Sequence, residues 1–142
     1  MARHKQVRIQ ANGQRGTVDA GMAPLLKAVW KCDIFTVMSC QENHPGISWI
    51  CFWFIEDLQK FLSILHNDPS EYFVEKILSP ANHFLHVAYE NKFHFKMGLY
   101  SHGNEKMLRY NFNVRFPKKD MKRMVKAFDD YRLAEKRKQP II

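Results

Sequence analysis

A chain of 142 residues, 46% hydrophobic and 13% aromatic, is long enough to bury one core and too apolar for a disordered tail. No apolar run reaches the roughly 18 residues of a membrane span, MARHKQVRIQ has no apolar stretch to act as a secretory signal, and three cysteines build no disulfide framework. The net charge of +8 sits at the ends: residues 1–16 carry Arg3, Lys5, Arg8 and Arg15 with no acid, and residues 118–138 carry nine Lys or Arg against four acids.

Val7 and Ile9 alternate with Arg8 and Gln10, which predicts an edge strand over 5–10. Asn12-Gly13 is a hairpin signal, with Thr17-Val18 pairing back across it. A helix opens at Asp19 to Pro24, with proline tolerated in the first turn. Met22, Leu25, Leu26, Val29 and Trp30 form its apolar stripe, and Lys31 complements the negative end of its dipole. Ile34 to Ser39 predicts a strand and Gln41 to Gly46 a loop. Ile47 to Phe54 is apolar on both faces, as expected of a strand in the middle of a sheet with both faces covered. Glu56 and Asp57 then start a helix whose Ile55, Leu58, Phe61, Leu62 and Leu65 keep helical spacing up to Asn67-Asp68-Pro69.

Ser70 to Leu78 predicts a short helix and Ser79 to Asn82 a loop. Strands follow over Phe84 to Glu90, over Lys92 to Leu99 with Phe93, Phe95, Met97 and Leu99 on one face, and over Met107 to Phe116. The last has Leu108, Tyr110, Phe112, Val114 and Phe116 inward and Arg109, Asn111, Asn113 and Arg115 outward. Pro117 stops it, and Lys118 to about Lys138 is a helix with Met121, Met124, Val125, Phe128 and Tyr131 as its stripe. The order β(β)αββα-βββα is that of a single α+β domain: an antiparallel or mixed sheet of five to six strands with about three helices. The basic N-terminal arm, 1–16, and the basic C-terminal helix, 118–138, flank it.

Three places offer chemistry. Lys92, His94 and Lys96 face one way on one late strand, and Arg109, Asn111, Asn113 and Arg115 the matching way on the next. With helices on the opposite side only, this face holds a phosphate backbone; the plain reading is a solvated strand face, and no aromatic pair among these residues offers base stacking. Lys118, Lys119, Lys122, Arg123 and Lys126 lie together on the C-terminal helix, each a point charge or fork for phosphate. Cys40, beside Gln41 and with His44 four residues on, makes a pocket only if the loop folds them together, and a small buried core cysteine is the commoner role. Nothing has CxxC or HxxxH spacing, His83 and His86 point to opposite faces of a strand, and neither metal nor cofactor is expected.

The stretch PLLKAVWKCDIFTVMSCQENHPGISWICFWF followed by EDLQKFLSIL resembles a family of small proteins from phages, some bacteria and large DNA viruses. In that family a helix ending in Trp leads to a strand running into Ser-Cys-Gln, then to an apolar strand and an amphipathic helix. The likeness covers about residues 17–65 and rests on the tryptophan and on Ser39-Cys40-Gln41. It departs at Lys31-Cys32-Asp33, where a glycine is expected before the strand. The resemblance implies a compact α+β domain and a viral source, and carries no catalytic role to Cys40.

The expectation is a non-enzymatic nucleic-acid-binding protein, DNA before RNA, with little sequence preference and no membrane partner. It is placed inside a host cell, in cytosol or nucleus, or packaged in a virion. Affinity would come from Arg3, Lys5, Arg8, Lys96, Arg109, Arg115, Lys118, Lys119, Lys122, Arg123 and Lys126. The alternatives are a homodimeric interaction module whose charge serves solubility, and a small enzyme with a pocket at Cys40, Gln41 and His44.

Overall fold

The computed structural model describes residues 4–78, 91–101, 104 and 108–138. Strands β1 (Gln6–Ala11) and β2 (Gln14–Asp19) form an antiparallel hairpin. Helix α1 (Ala23–Lys31) follows a single 3-10 turn over Ala20–Met22. Then come β3 (Met38–His44), β4 (Ile47–Phe52), α2 (Ile55–His66), α3 (Val74–Leu78), β5 (His94–Tyr100), β6 (Arg109–Pro117) and α4 (Met121–Lys138). The second sheet has the order β3-β4-β6-β5, antiparallel throughout. The fold is therefore α+β, and the described residues form two antiparallel sheets of two and four strands and four helices. Among the described residues no helix is long and apolar enough to cross a membrane.

The hairpin turns where the sequence says it should. Asn12 and Gly13 both take positive φ, 50° and 81°, the backbone of a two-residue turn that matches strand twist. Asn12 also donates from Nδ2 to the Trp30 carbonyl (3.0 Å), and Gln14 donates to the Ile34 carbonyl (2.7 Å), so the turn closes the C-terminal end of α1. That end is finished by Asp33 at φ 62°, in the left-handed region that favours glycine.

Burial selects one face of the four-stranded sheet. Ile50 and Phe52 of β4 and Val114 and Phe116 of β6 are fully buried against Leu25 and Leu26 of α1, Phe61 and Leu65 of α2 and Met124 and Phe128 of α4. Rings run through the layer: Phe52 stands edge-on to Phe61 at 5.3 Å, and Phe61 lies 5.1 Å from Phe128. At the other side Phe73 and Phe116 both contact Phe93.

Several sequence expectations are corrected. The strand expected over Ile34–Ser39 is displaced to Met38–His44, and most of the expected loop, Gln41 to Gly46, is strand. Gln41 is held by hydrogen bonds on both backbone and side chain, and Pro45-Gly46 alone makes the turn, with Gly46 at φ 76°. Strand β4 lies inside its sheet and is buried on both faces as predicted, at Ile50 and Phe52 on one and at Ile47 and Cys51 on the other, although among the described residues helices pack on the first only. Trp49, on the other, is half-buried, and Trp53 beyond the strand is 36% exposed. The helix expected over Ser70–Leu78 shrinks to Val74–Leu78. The inward row of β6 is buried only at Val114 and Phe116; Leu108 and Tyr110 are exposed, as are Met97 and Leu99 on β5, because this end of the sheet runs past the helical layer. The strand over Phe84–Glu90, the loop before it, the His83/His86 pair and Arg3 lie outside the described residues.

Candidate functional site

The polar residues at the end of β2 and along β3 converge on one point. Asp19 is buried, and its Oδ2 accepts the Gln41 backbone N–H (3.0 Å) while Oδ1 accepts Gln6 Nε2 (3.3 Å). An aspartate just before a helix ordinarily caps it, yet Asp19 makes no capping bond; its carboxylate is turned to β3 instead. The Gln41 side chain spans the junction. Its Oε1 accepts the Gly21 N–H (2.7 Å), and its Nε2 lies 3.3 Å from His4 Nδ1. His4 Nε2 in turn lies 3.0 Å from the Glu42 carbonyl, the only acceptor there for a ring N–H among the bonds His4 makes. Gly21 has to be glycine for this arrangement, since a Cβ would fall on Gln41 Oε1.

Cys40 sits inside this network. One donor atom each from His4, Asp19 and Cys40 lies within 4.8 Å of the other two. Burial pushes the Cys40 thiol up, and the Asp19 carboxylate reinforces it against the opposing pull of the Glu42 backbone. A thiol held protonated is a poorer nucleophile than a thiolate. His44 does not belong to it. It stands exposed beside the Pro45-Gly46 turn, paired with Ile47, and the imidazole at Cys40 is that of His4. The sequence reading found Cys40 and Gln41 but missed His4 and Asp19. These partners are 36 and 21 residues away, and no spacing rule links them.

The N-terminal segment and the start of α4 both reach Glu42. His4, which bonds the Glu42 carbonyl, precedes Lys5, whose own carbonyl accepts the Ala20 N–H at 2.7 Å. On the other side Glu42 Oε2 accepts the Gly46 N–H (3.0 Å) and lies 3.6 Å from Lys118 Nζ. The Gly46 N–H and the Lys118 ammonium hold the Glu42 carboxyl below its usual range. Glu42 thus stands between the N-terminal segment and the start of α4. Lys118, Lys119 and Lys122 line an open groove of ≈570 Å³ with Pro45 and Gly46. Lys119 Nζ donates to Asn91 Oδ1 (2.5 Å) and Lys122 is exposed.

Other cations of the predicted cluster are engaged elsewhere. The Arg123 guanidinium lies 3.9 Å over the Tyr72 ring, and Lys126 pairs with Asp130 at 2.6 Å. Arg8 is exposed on β1, opposite Thr17.

The pairing register fixes the third arrangement. His94 lies opposite Arg115, Lys96 opposite Asn113 and Gly98 opposite Asn111, while Trp49 lies opposite Arg115 from the other side. All share the face turned away from the helices. Asn113 Nδ2 donates to Asn111 Oδ1 (3.3 Å), and Asn111 lies across Gly98, where a Cβ would collide with it. Burial and the Arg115 guanidinium hold His94 below the usual imidazole range. The sequence reading lacked an aromatic for this face because Trp49 belongs to a strand 60 residues earlier in the chain than Arg109. Trp49 also borders a cleft of ≈660 Å³ between β2 and the chain before β3, with Arg15, Thr17, Thr36 and Ser39 among its walls.

Comparison with family models, with curated proteins and with solved structures finds no match for this chain.

Proposed function

We propose that the protein binds nucleic acid through phosphate contacts with little sequence preference, and that the strand presented to it is single. One observation carries the reading: among the described residues the four-stranded sheet bears helices on one face only, and the other face holds Lys96, Arg109, Asn111, Asn113, Arg115 and Trp49 together. Cations on such a face take phosphates, amides bond sugars or base edges, and an indole offers a stacking surface that any base can use. Strand β6 leads straight into Lys118 and Lys119, which line the basic groove at the start of α4. A duplex has its bases stacked inside and can use only the cations, which favours the single strand.

Fluorescence anisotropy of labelled single-stranded DNA, single-stranded RNA and duplex DNA at several salt concentrations tests this. Single strands are expected to bind more tightly than duplex, with log K falling linearly in log salt. Trp49→Ala should weaken single-strand binding by about 1–3 kcal/mol and leave the salt slope unchanged. Absence of binding to all three polymers at low salt ends the reading.

One observation favours a second reading, the homodimer. Met97, Leu99, Leu108 and Tyr110 are each more than half exposed at one end of the β5–β6 hairpin. Light scattering in high salt, where phosphate contacts are screened, gives the doubled mass if this strip pairs with its copy.

A further inference from the structure

We propose that His4, Asp19 and Cys40 form a divalent-metal site, and that zinc is the ion their donors suit. An imidazole nitrogen, a carboxylate oxygen and a sulfur within 4.8 Å of one another are a mixed borderline-soft set of the kind zinc selects. Around a tetrahedral zinc, donor atoms stand about 3–4 Å apart, so the three need close by only a small side-chain adjustment. The ligands come from three separate pieces of backbone: the segment ahead of β1, the end of β2, and β3. An ion here would fasten the N-terminal segment and the hairpin to the edge of the larger sheet.

The surroundings are those of a ligand shell. A metal-bound imidazole usually donates its other N–H to a carbonyl or carboxylate, which fixes tautomer and ring orientation. His4 Nε2 meets the Glu42 carbonyl at 3.0 Å, which leaves Nδ1 as the nitrogen for the ion. The Asp19 carboxylate is oriented by the Gln41 backbone N–H and by Gln6. The only contact an ion would displace at Nδ1 is Gln41 Nε2 at 3.3 Å, and Gln41 stays anchored through Gly21. An Asp19 carboxylate and a Cys40 thiolate bring two negative charges to a dication, so the filled site is neutral, which a half-buried position favours. Among the described residues no fourth His, Cys, Asp or Glu joins the set, leaving one position for water or an incoming ligand.

The rival account is a hydrogen-bonded cluster that never holds an ion, and metal titration separates the two. Chelator-stripped full-length protein is titrated with Co²⁺ and read by absorbance; Zn²⁺ is then added in competition. The proposal requires one equivalent of Co²⁺, a thiolate-to-cobalt charge-transfer band, and displacement by Zn²⁺. Cys40→Ser should abolish the band while Cys51→Ser keeps it. His4→Gln, in a residue outside the core, and Asp19→Asn should each weaken Zn²⁺ binding by about ten-fold or more. Circular dichroism of each variant separates a lost ligand from a lost fold, and His4→Gln alone suffices if the others do not fold. No stoichiometric binding, a band that survives Cys40→Ser, or Zn²⁺ affinity unchanged in His4→Gln overturns the site. Nucleic acid plays no part in these measurements, so this inference and the binding function stand or fall separately.

Discussion

At Asp33 the chain holds a non-glycine residue at φ 62°, where Cβ crowds a backbone carbonyl oxygen at a cost of about 1 kcal/mol. Its N–H bonds the Trp30 carbonyl (3.0 Å) and its carboxylate receives only a long, exposed contact from Asn12 (3.4 Å). The backbone geometry is what the position requires, and the side chain adds little. Asp33→Gly is therefore expected to stabilise the protein by about 0.5–1 kcal/mol in urea unfolding, and any destabilisation would mean that the Asn12 contact outweighs the strain. Cys32, next to it, gives a pH signature. It is buried and donates to the Phe128 carbonyl (3.4 Å); burial pushes its thiol up to about 11 against the weaker opposing pull of Lys60 and Arg132. In the unfolded chain the thiol ionises near 9, in the folded chain not until about 11, so the unfolded state alone gains from ionisation in between. Stability should then fall as pH rises from about 9 to about 11, by up to about 2 kcal/mol. Cys32→Ala should show a shallower fall over the same window.

Elements were legible where local chemistry decides them. The Asn12-Gly13 turn, the α1 stripe from Met22 to Trp30 and the stop at Asn67-Asp68-Pro69 follow from two or three adjacent residues each, and all three stand. Strand β3 was misread because its polar residues, Gln41 and Glu42, resemble a loop until Asp19, Gly21 and His4 are brought to them; the pairing that makes them strand is tertiary. The same holds for α3, whose partner is remote. Lys76 on α3 pairs with Asp120 at 2.7 Å, and Tyr72 Oη donates to the same carboxylate (2.8 Å), which is fully buried at the start of α4. Removing one member of a buried pair strands the other's charge. Asp120→Ala should cost about 3–5 kcal/mol, read by thermal or urea unfolding, whereas Lys126→Ala, which breaks only the exposed pair with Asp130, should leave the unfolding midpoint essentially unchanged. Comparable losses from the two variants would show that the α3–α4 clamp does not hold the fold together.

At the scale of the whole molecule the question is whether charge acts as a total or as a place. The +8 was readable from composition, and so was its concentration at the two ends. That Glu42 links the N-terminal segment to the start of α4 was not, because His4 and Lys118 lie 114 residues apart in the chain. Two variants with the same change in net charge separate the possibilities. Lys118, Lys119 and Lys122, all replaced by Gln, empty the groove beside Pro45-Gly46. Lys136, Arg137 and Lys138, all replaced by Gln, strip the exposed far end of α4, where Lys138 already pairs with Glu135. If placement matters, the first triple lowers the slope of log K against log salt for single-stranded nucleic acid by about 2, at roughly 0.7 for each phosphate no longer neutralised, and the second leaves it unchanged. Equal reductions would mean that the polyanion sees only net charge, and the open sheet face would then lose its claim to orient the bound strand.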